Sequence, residues 1–310
     1  MSVYLGLDTS CYTTSLAAVD EAGEVVFDGR VMLQVPSGQR GLRQSEALFQ
    51  HLRRLEHMAV ACRETIAAAP VALVTASTRP RPVADSYLPV FLAGTVVGQA
   101  MAAGAGAPFL AVSHQEGHLR ASLIGQEVSG PFIGVHLSGG TTEVLHVTRK
   151  PDGFDLELLG GTEDLHAGQF VDRIGVAMGL PFPAGPALEE LAASGRAEAV
   201  RLPVAARGLQ LSFSGPLSAA ERALRNGADR ADLAAAVFVC LTESLGRLLR
   251  EAMAATGLAE VVLGGGVSAN KALREGLARL LPEARLVFAE PSLSTDNAVG
   301  VALLGRDRYR

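Results

Sequence analysis

Apolar residues recur with two different spacings along the chain, and the alternation of these spacings predicts an α/β protein. Between residues 48 and 66, apolar side chains repeat every three or four positions, which is the period of an amphipathic helix that ends before Pro70. A mostly apolar stretch at residues 229–255 predicts a long helix at the centre of its lobe, and residues 164–178 predict another helix. Short apolar runs bounded by turn residues predict strands at residues 3–7, 14–19, 24–27, 71–75, 108–112, 132–137, 143–147, 154–159, 261–263 and 286–289.

The order of strands and turns is repeated in the two halves of the chain. A strand, a polar hairpin, a second strand, a turn and a third strand occupy residues 3–27 and recur over residues 132–159. In this superposition the segment Asp8-Thr9-Ser10 falls on Ser138-Gly139-Gly140. The repetition predicts two similar lobes, each presenting a hairpin towards a shared cleft.

The composition is that of an ordinary globular protein and narrows the range of functions. At 310 residues the chain is long enough for two domains, and its formal net charge of −5 argues against a wide basic surface for nucleic acid. A nucleic acid would need a local basic patch or a partner to hold it. The three cysteines form no CxxC pair and no basic-then-apolar leader precedes the first strand, which predicts a reducing, cytoplasmic location. The uncharged run at residues 87–112 is broken at residues 104–108, so it predicts a buried helix followed by a strand rather than a membrane span.

The pair His114 and His118 is the first candidate for a functional site. Ser113 follows a predicted strand and is a suitable N-cap, so a helix beginning at His114 would place both imidazoles on one face, at a spacing that can hold one metal ion. Taken alone, the pair is equally well explained by one histidine that caps the helix and one that packs in a core. Glu116 would point to the opposite side, so the pattern is not that of the zinc proteases.

Two glycine-rich turns and one arginine-containing loop are further candidates. The glycines at 139–140 would let backbone N–H groups approach an anion, and the repetition of this turn in both halves favours phosphate binding over a simple turn. The glycines at 264–266 lie between a strand and a helix and are a weaker candidate for nucleotide binding. Arg79 and Arg81 could meet a phosphate or a carboxylate, although a solvated loop is the default interpretation of residues 77–82.

Taken together and in order, these motifs resemble those of the TsaD family, formerly called glycoprotease or Gcp, within the superfamily of actin, sugar kinases and Hsp70. The resemblance rests on residues 5–11, 114–119, 137–140, 168 with 172, 180–186, 212–215, 265–270 and 295–297. It implies a duplicated, two-lobed, actin-like ATPase fold of the α/β class with a cleft between the lobes. Residues 1–118 would form the first lobe, completed by a closing helix at 297–310, and residues 119–296 the second lobe with most of the nucleotide site.

The resemblance also implies a set of site residues and a reaction. It makes His114, His118 and Asp296 the ligands of one divalent metal ion, iron or zinc. The implied reaction is transfer of the threonylcarbamoyl group from threonylcarbamoyl-AMP to the exocyclic amine of the adenosine beside the anticodon in tRNA. The implied partners are tRNA, a paralogous TsaB-like subunit and a TsaE-like ATPase, with no membrane involved. The residues implied to bind the adenine nucleotide that forms part of the substrate are His136, Leu137, Ser138, Gly139, Gly140, Asp172, Gly185 and Asn270.

Several positions near the implied cleft depart from the family pattern. Tyr12 and Thr13 stand where the family usually has an acidic pair, and residues 77–82 replace a glycine-rich loop. These changes predict a divergent member that keeps metal and nucleotide binding while its acceptor or donor differs. The remaining departures are Thr141 in place of histidine, Gln169 in place of glutamate, and Pro216-Leu217 in place of leucine and lysine.

Two other functions fit parts of the pattern. A nucleotide-binding scaffold that works through a partner, as TsaB does, would not need the histidine pair and its aspartate. A metallopeptidase is the weakest alternative, because no acid is placed beside the histidine pair to act as a general base. No catalytic residue or covalent nucleophile is identified, and Cys11, which has no neighbouring base, is expected to pack. Positioning and electrostatic stabilisation would therefore carry the rate.

Overall fold

Two β-sheets, each covered by helices, form the framework of the protein. The structure, a computed structural model, describes residues 2–10, 12–36, 41–83, 85–151, 153–162 and 164–309. Cys11 lies outside the described residues, so the expectation that it packs stays a prediction. The strands of the first sheet are β1 (Val3–Asp8), β2 (Thr13–Asp20), β3 (Val25–Met32), β4 (Val71–Arg79) and β5 (Phe109–Ser113). Those of the second sheet are β6 (Phe132–Leu137), β7 (Thr142–Lys150), β8 (Gly153–Thr162), β9 (Ala206–Arg207), β10 (Gln210–Leu211), β11 (Glu260–Gly264) and β12 (Arg285–Phe288).

The helices lie mainly between these strands in the sequence. They are α1 (Gln44–Ile66), α2 (Phe91–Ala105), α3 (His114–Ser122), α4 (Ala167–Ala177), α5 (Gly185–Ala192), α6 (Ser214–Arg225), α7 (Arg230–Thr256), α8 (Lys271–Leu280), α9 (Pro291–Ser294) and α10 (Val299–Tyr309), with short 3-10 turns at Ala197–Ala199 and Gly266–Ala269. No helix within the described part of the chain combines the length and apolar character needed to cross a membrane.

The two sheets share one topology. The order in the first is β3-β2-β1-β4-β5, and the second contains the corresponding order β8-β7-β6-β11-β12, with β10 and β9 added beyond β8. In the first sheet, β1 is antiparallel to β2 and parallel to β4. In the second sheet, β6 is likewise antiparallel to β7 and parallel to β11. The predicted duplication and the two-lobed α/β fold are therefore confirmed.

Alternation along β1 divides the first lobe into two layers. Val3 and Leu5 point to the side covered by α1 and α2, whereas Tyr4 packs on the other side against residues of α10. Gly6 permits this close approach, because a Cβ at that position would lie 2.5 Å from the backbone nitrogen of Ala302. The C-terminal helix thus packs on the N-terminal strand, and α3 follows β5 and packs against both α10 and β11. The predicted lobe boundary at residue 118 falls within α3 and stays a prediction.

The second lobe is built around α7, in agreement with the helix predicted at residues 229–255. Its leucines, including Leu241 and Leu245, share a buried cluster with Val135 and Leu137 of β6. Asp229 is the N-cap and accepts hydrogen bonds from the amides of the first turn, while Gly257 ends the helix with a φ of 72°.

Three local predictions differ from the structure, and for the first of them the cause is pairing with a neighbouring strand. Strand β4 continues to Arg79 instead of ending at residue 75, because its last residues pair with β5 and place Arg79 opposite Ser113. The glycines at 264–266 do not lead directly into a helix, since a 3-10 turn intervenes and Asn270 caps α8. The closing helix begins at Val299, not at residues 294–297.

Candidate functional site

Helix α3 carries the histidine pair and is fixed at its start by local hydrogen bonds. The hydroxyl of Ser113 accepts from the amide of Glu116 at 3.2 Å, and the Glu116 carboxylate accepts from the amide of Ser113 at 2.9 Å. This capping box confirms Ser113 as the N-cap. The other carboxylate oxygen of Glu116 is paired with Arg308 of α10. Glu116 is therefore committed to the helix start and to α10, not to the imidazoles.

The structure brings the three predicted metal ligands together. The Nε2 atom of His118 lies 3.3 Å from Oδ1 of Asp296, and the Nε2 atom of His114 lies 3.7 Å from the same oxygen. Asp296 comes from the segment between α9 and α10, where Asn297 bonds the carbonyl oxygens of residues 293 and 295 and holds the loop. Two ring nitrogens and a carboxylate oxygen thus converge at one point.

A fourth side chain, His136 of β6, also reaches this group. Its ring centroid lies 4.5 Å from that of His118 and 5.7 Å from that of His114. One ring nitrogen from each of the three histidines can be chosen so that all lie within 4.8 Å of one another. His136 was assigned to the nucleotide by resemblance, whereas its side chain in the structure faces the histidine pair.

Asp8 at the end of β1 orients His114, a relationship that sequence reasoning missed. Oδ2 of Asp8 lies 2.7 Å from Nδ1 of His114 and accepts a hydrogen bond of 2.7 Å from the hydroxyl of Ser77. Its other oxygen accepts from the amide of Ser10 at 2.8 Å. Because Nδ1 is held by Asp8, Nε2 of His114 faces the cluster. The only sequence signal was a carboxylate at the end of a buried strand.

Burial and mutual charge set the protonation of the cluster. Burial opposes ionisation of Asp8, but the adjacent His114 and the surrounding hydrogen bonds hold the pKa of Asp8 well below its usual value. Burial lowers the pKa of His114, and Asp8 more than reverses this effect, so the pKa of His114 is raised. Burial and the charge of His114 lower the pKa of His118, and burial with both neighbouring histidines lowers the pKa of His136 well below the usual value. His118 and His136 are thus neutral at pH 7, the form that can donate a lone pair to a metal.

The hairpin that follows β6 is closed by its own hydrogen bonds. The Ser138 hydroxyl accepts from the amides of Gly140 at 3.2 Å and Thr141 at 3.0 Å, so it is committed to the turn. The amide of Gly168 at the start of α4 donates to the Ser138 carbonyl at 3.1 Å. A Cβ at Gly168 would lie 2.6 Å from the nitrogen of Gly139. The N-terminus of α4 can therefore lie against the hairpin only because residue 168 is glycine.

Asp172, Gly185 and Asn270 lie around the starts of α5 and α8. Asp172 accepts a hydrogen bond of 2.8 Å from the amide of Ala184 and another from that of Gly185; burial raises its pKa. Oδ1 of Asn270 accepts from the amide of Leu273 at 2.8 Å, while its buried Nδ2 has no partner among the described residues. Asn270 therefore has a helix-capping role on one side of its amide and an unused donor on the other.

A small cavity of about 100 Å³ is lined both by residues implied to bind the nucleotide and by residues that depart from the family pattern. It is lined by Gly139 and Asp172, and also by Tyr12, Gln169, Arg173 and Phe182. The rings of Tyr12 and Phe182 meet edge to face with centroids 5.4 Å apart, which connects the two lobes. Two of the unusual positions therefore face the same cavity as two of the implied nucleotide residues.

Arg81 forms a second connection between the lobes. Its guanidinium pairs with the buried carboxylate of Glu143 on β7, which also accepts a hydrogen bond of 2.6 Å from Nε2 of Gln115 on α3. The amide of Gln115 in turn donates to the carbonyl of Pro80 at 3.1 Å. Arg81 is exposed, as the default interpretation of a solvated loop predicts, and it also meets a buried carboxylate, which was the alternative left open.

The other unusual positions have structural surroundings of their own. Thr141 belongs to the hairpin and bonds Ser138 through its amide. Pro216 and Leu217 are buried in α6, so no cleft-facing group replaces the family lysine at Leu217. Thr13 lies in β2 opposite Met32.

Comparisons with known proteins agree with the sequence analysis. A family model described as "TsaD: tRNA N6-adenosine threonylcarbamoyltransferase" matches residues 89–303. A tRNA N6-adenosine threonylcarbamoyltransferase from Bordetella bronchiseptica is 33% identical over 325 residues, covering 99% of this chain and 92% of the relative. One from Bordetella petrii is 35% identical over 324 residues, covering 99% of this chain and 91% of the relative.

Solved structures bear on the fold alone, because their sequence identities to this chain are low. HypF from T. kodakarensis matches with a TM-score of 0.65 at 16% identity, over 99% of this chain but only 47% of the HypF chain. Component A of (R)-2-hydroxyglutaryl-CoA dehydratase from Acidaminococcus fermentans matches with a TM-score of 0.59 at 16% identity, over 100% and 99% of the two chains. A ROK family glucokinase from Streptomyces griseus matches with a TM-score of 0.54 at 15% identity, over 98% and 99%. The predicted actin-like fold is confirmed.

Proposed function

The chain belongs to the TsaD family of tRNA N6-adenosine threonylcarbamoyltransferases, and from this premise we propose that it transfers a threonylcarbamoyl group from threonylcarbamoyl-AMP to tRNA. The membership predicted from the motifs is confirmed by the family model and by relatives that match nearly the whole chain. The acceptor is the exocyclic amine of the adenosine beside the anticodon. The observation that carries the proposal is the convergence of His114, His118 and Asp296 in a member of this family.

The side chains of the cluster fit a divalent metal ion. Two imidazole nitrogens and a carboxylate oxygen are the donor types that zinc and iron accept. A tetrahedral ion with bonds of about 2.0–2.1 Å separates its ligand atoms by roughly 3.3–3.4 Å, and Asp296 lies 3.3 and 3.7 Å from the two histidine nitrogens. The buried ring nitrogens of His136, which faces this cluster, have no hydrogen-bond partner among the described residues, and this also favours a cation here.

Each side chain of the metal group has a distinct role in the proposed mechanism. His114, His118 and Asp296 would hold the ion, and Asp8 would keep His114 in the tautomer that presents Nε2. A bound ion would act there as a Lewis acid towards the carbamoyl or phosphate oxygens of the substrate. Iron and zinc both suit this donor set.

The adenylate is proposed to lie between the Ser138-Gly139-Gly140 hairpin and the starts of α5 and α8. Leu137, buried at the end of β6, holds the hairpin in place. The unused Nδ2 of Asn270 donates to the nucleotide, and the Asp172 carboxylate accepts from a ribose hydroxyl in addition to the amides of Ala184 and Gly185. Gly185 flanks the sugar. These contacts position the substrate, and positioning with electrostatic stabilisation carries most of the rate.

The transfer forms one bond and breaks one. The N6 nitrogen of adenosine bonds to the carbamoyl carbon, and the bond from that carbon to the phosphate oxygen of AMP breaks. The electron pair of the broken bond leaves with AMP, whose phosphate takes the proton that the amine loses. We assign no covalent nucleophile, and tRNA, a TsaB-like subunit and a TsaE-like ATPase are the proposed partners.

A second candidate is a divergent paralogue with another acceptor or a scaffold role. It is favoured by Tyr12 and Gln169, which line the cavity together with Gly139 and Asp172. This cavity is well below the roughly 300–1,000 Å³ of ordinary ligand sites, and the rings of Tyr12 and Phe182, which both line it, are in edge-to-face contact.

The test is a reconstitution with mass spectrometry of the digested nucleosides. The protein, with and without TsaB-like and TsaE-like components, is incubated with threonylcarbamoyl-AMP and unmodified tRNA. We expect threonylcarbamoyladenosine from the unmodified chain and from an Asp155→Ala control, whose side chain is exposed, and none from Asp296→Ala. Absence of product from protein that binds metal and nucleotide would rule out this acceptor and favour the divergent paralogue.

A further inference from the structure

His136 is a buried imidazole for which the described part of the protein offers no hydrogen bond. Its side chain is only 4% exposed, and neither Nδ1 nor Nε2 has a partner among the described residues. An imidazole always carries at least one N–H donor, and its neutral form also carries an acceptor. Leaving both buried and unpaired is costly, so a group with two unused nitrogens indicates a ligand that the protein itself does not supply.

The surroundings of His136 identify the chemistry of that ligand. The nearest aromatic groups are the imidazoles of His118 and His114, and the ring nitrogens of the three histidines come within 4.8 Å of one another. A buried imidazole whose ring nitrogens have no partner among the described residues, and which faces two other imidazoles, is suited to donate a lone pair to a cation.

The glycine-rich turn after β11 makes room for this ring. Gly265 has a φ of 89°, and a Cβ at that position would lie 2.8 Å from Cδ2 of His136. The backbone of Leu137 would also clash with such a Cβ. Residue 265 must therefore be glycine for the His136 ring to occupy its place beside α3.

We infer that His136 is a third imidazole ligand of the ion held by His114, His118 and Asp296, so that its contact is with the metal and not with the nucleotide. The inference rests on the metal site of the proposed function. The ion would then have three nitrogen donors and one oxygen donor from the protein, and a substrate oxygen would be added as a further ligand. Such nitrogen-rich coordination selects zinc or iron over magnesium.

The test counts imidazoles at the metal and does not depend on transferase activity. Zinc-loaded full-length protein is measured by X-ray absorption, in which imidazole outer-shell scattering gives the number of histidine ligands. We expect three imidazoles per ion in the unmodified chain and two in His136→Leu. The exposed His57→Leu variant is the matched control and should keep three. Two imidazoles in the unmodified chain would overturn the inference.

Metal affinity provides the second measurement. In competition with a chromophoric chelator, His136→Leu should bind zinc at least about tenfold more weakly, while His57→Leu should be unchanged. The metal-free His136→Leu protein should unfold at the same temperature as the metal-free parent or higher, because leucine leaves no unpaired polar atoms. A lower unfolding temperature with unchanged zinc affinity would mean a packing role and overturn the inference.

The outcomes also separate this inference from the proposed function. If His136→Leu keeps its zinc affinity but loses binding of AMP, His136 contacts the nucleotide; the inference fails while the proposed function stands. If Asp296→Ala binds zinc as well as the parent does, the metal site of the proposed function fails, and the inference fails with it.

Discussion

Oδ2 of Asp8 lies 2.7 Å from Nδ1 of His114, although 106 positions separate the two residues in the sequence. The contact exists because β1 and β5 both pair with β4 in parallel, which brings their C-terminal ends to one edge of the sheet. Asp8 ends β1, and His114 begins the helix that follows β5. The first lobe thus supports a side chain that contacts His136 of the second lobe.

Replacing Asp8 by asparagine should weaken metal binding without removing a ligand. The Asn amide can donate to Nδ1 of His114, which would move the imidazole proton to Nε2, the nitrogen that faces the cluster. We expect zinc affinity to fall by about 10–100-fold, as for other outer-shell partners of metal ligands. Chelator competition measures the change, with the exposed Asp155→Asn as control. Equal affinities for Asp8→Asn and the parent would contradict the orienting role.

Replacing Arg81 by alanine should destabilise the protein relative to the parent, and by more at pH 7 than at pH 4. Burial raises the pKa of Glu143, and Arg81 and Gln115 partly oppose this. Without Arg81 the buried carboxylate loses its cation, which at pH 7 should cost about 1–2 kcal/mol of unfolding free energy, since Arg81 is itself half exposed.

The sign of the pH effect follows from the raised pKa. As the pH falls through the pKa of Glu143 in the folded state, the carboxyl becomes neutral and no longer needs a cation. The difference between Arg81→Ala and the parent should therefore shrink from pH 7 towards pH 4. Urea unfolding at several pH values measures it, and the exposed Arg53→Ala should show no such trend. A difference that stays constant with pH would disprove the dependence on Glu143.

Replacing Gly168 by alanine should affect the nucleotide side of the site and spare the metal side. The added Cβ would lie 2.6 Å from the nitrogen and 2.8 Å from Cα of Gly139, so the hairpin must move. We expect a loss of about 1–3 kcal/mol in stability and weaker AMP binding, with unchanged zinc stoichiometry. Calorimetry measures the stability and the AMP binding, and metal analysis measures the zinc stoichiometry. Gly130→Ala, where nothing lies within 4 Å of the new atom, should leave all three unchanged.

Two substitutions at Asn270 should separate its capping role from its proposed ligand contact. Aspartate keeps an oxygen for the amide of Leu273 and removes the Nδ2 donor, so Asn270→Asp should retain stability within about 0.5 kcal/mol. Its affinity for AMP should fall at least tenfold, by roughly the 1.4 kcal/mol that a lost hydrogen bond to a charged ligand represents. Asn270→Ala should lose both AMP affinity and about 1 kcal/mol of stability. If Asn270→Asp bound AMP normally, the free donor would have no role in the nucleotide site.

Much of the fold and part of the site were predictable from the sequence because their causes are local. The capping box between Ser113 and Glu116, the period of α1 and the apolar length of α7 depend on residues a few positions apart. The repeated pattern of strands and turns was sufficient to predict the duplicated fold. The spacing of His114 and His118 placed both imidazoles on one helical face before any tertiary contact was known.

The partners of those imidazoles were decided only by the tertiary structure. Asp8, His136 and Asp296 reach His114 and His118 through the register of two sheets and the path of the loop before α10. The pairing of Arg81 with Glu143, and the use of Gly265 to admit a ring, also depend on which strands become neighbours. Periodicity encodes which face of an element is buried, but it carries no information about which distant side chain will lie opposite that face. For this protein the sequence by itself determined the elements, the duplication and the family, while packing between the lobes decided which groups meet at the site.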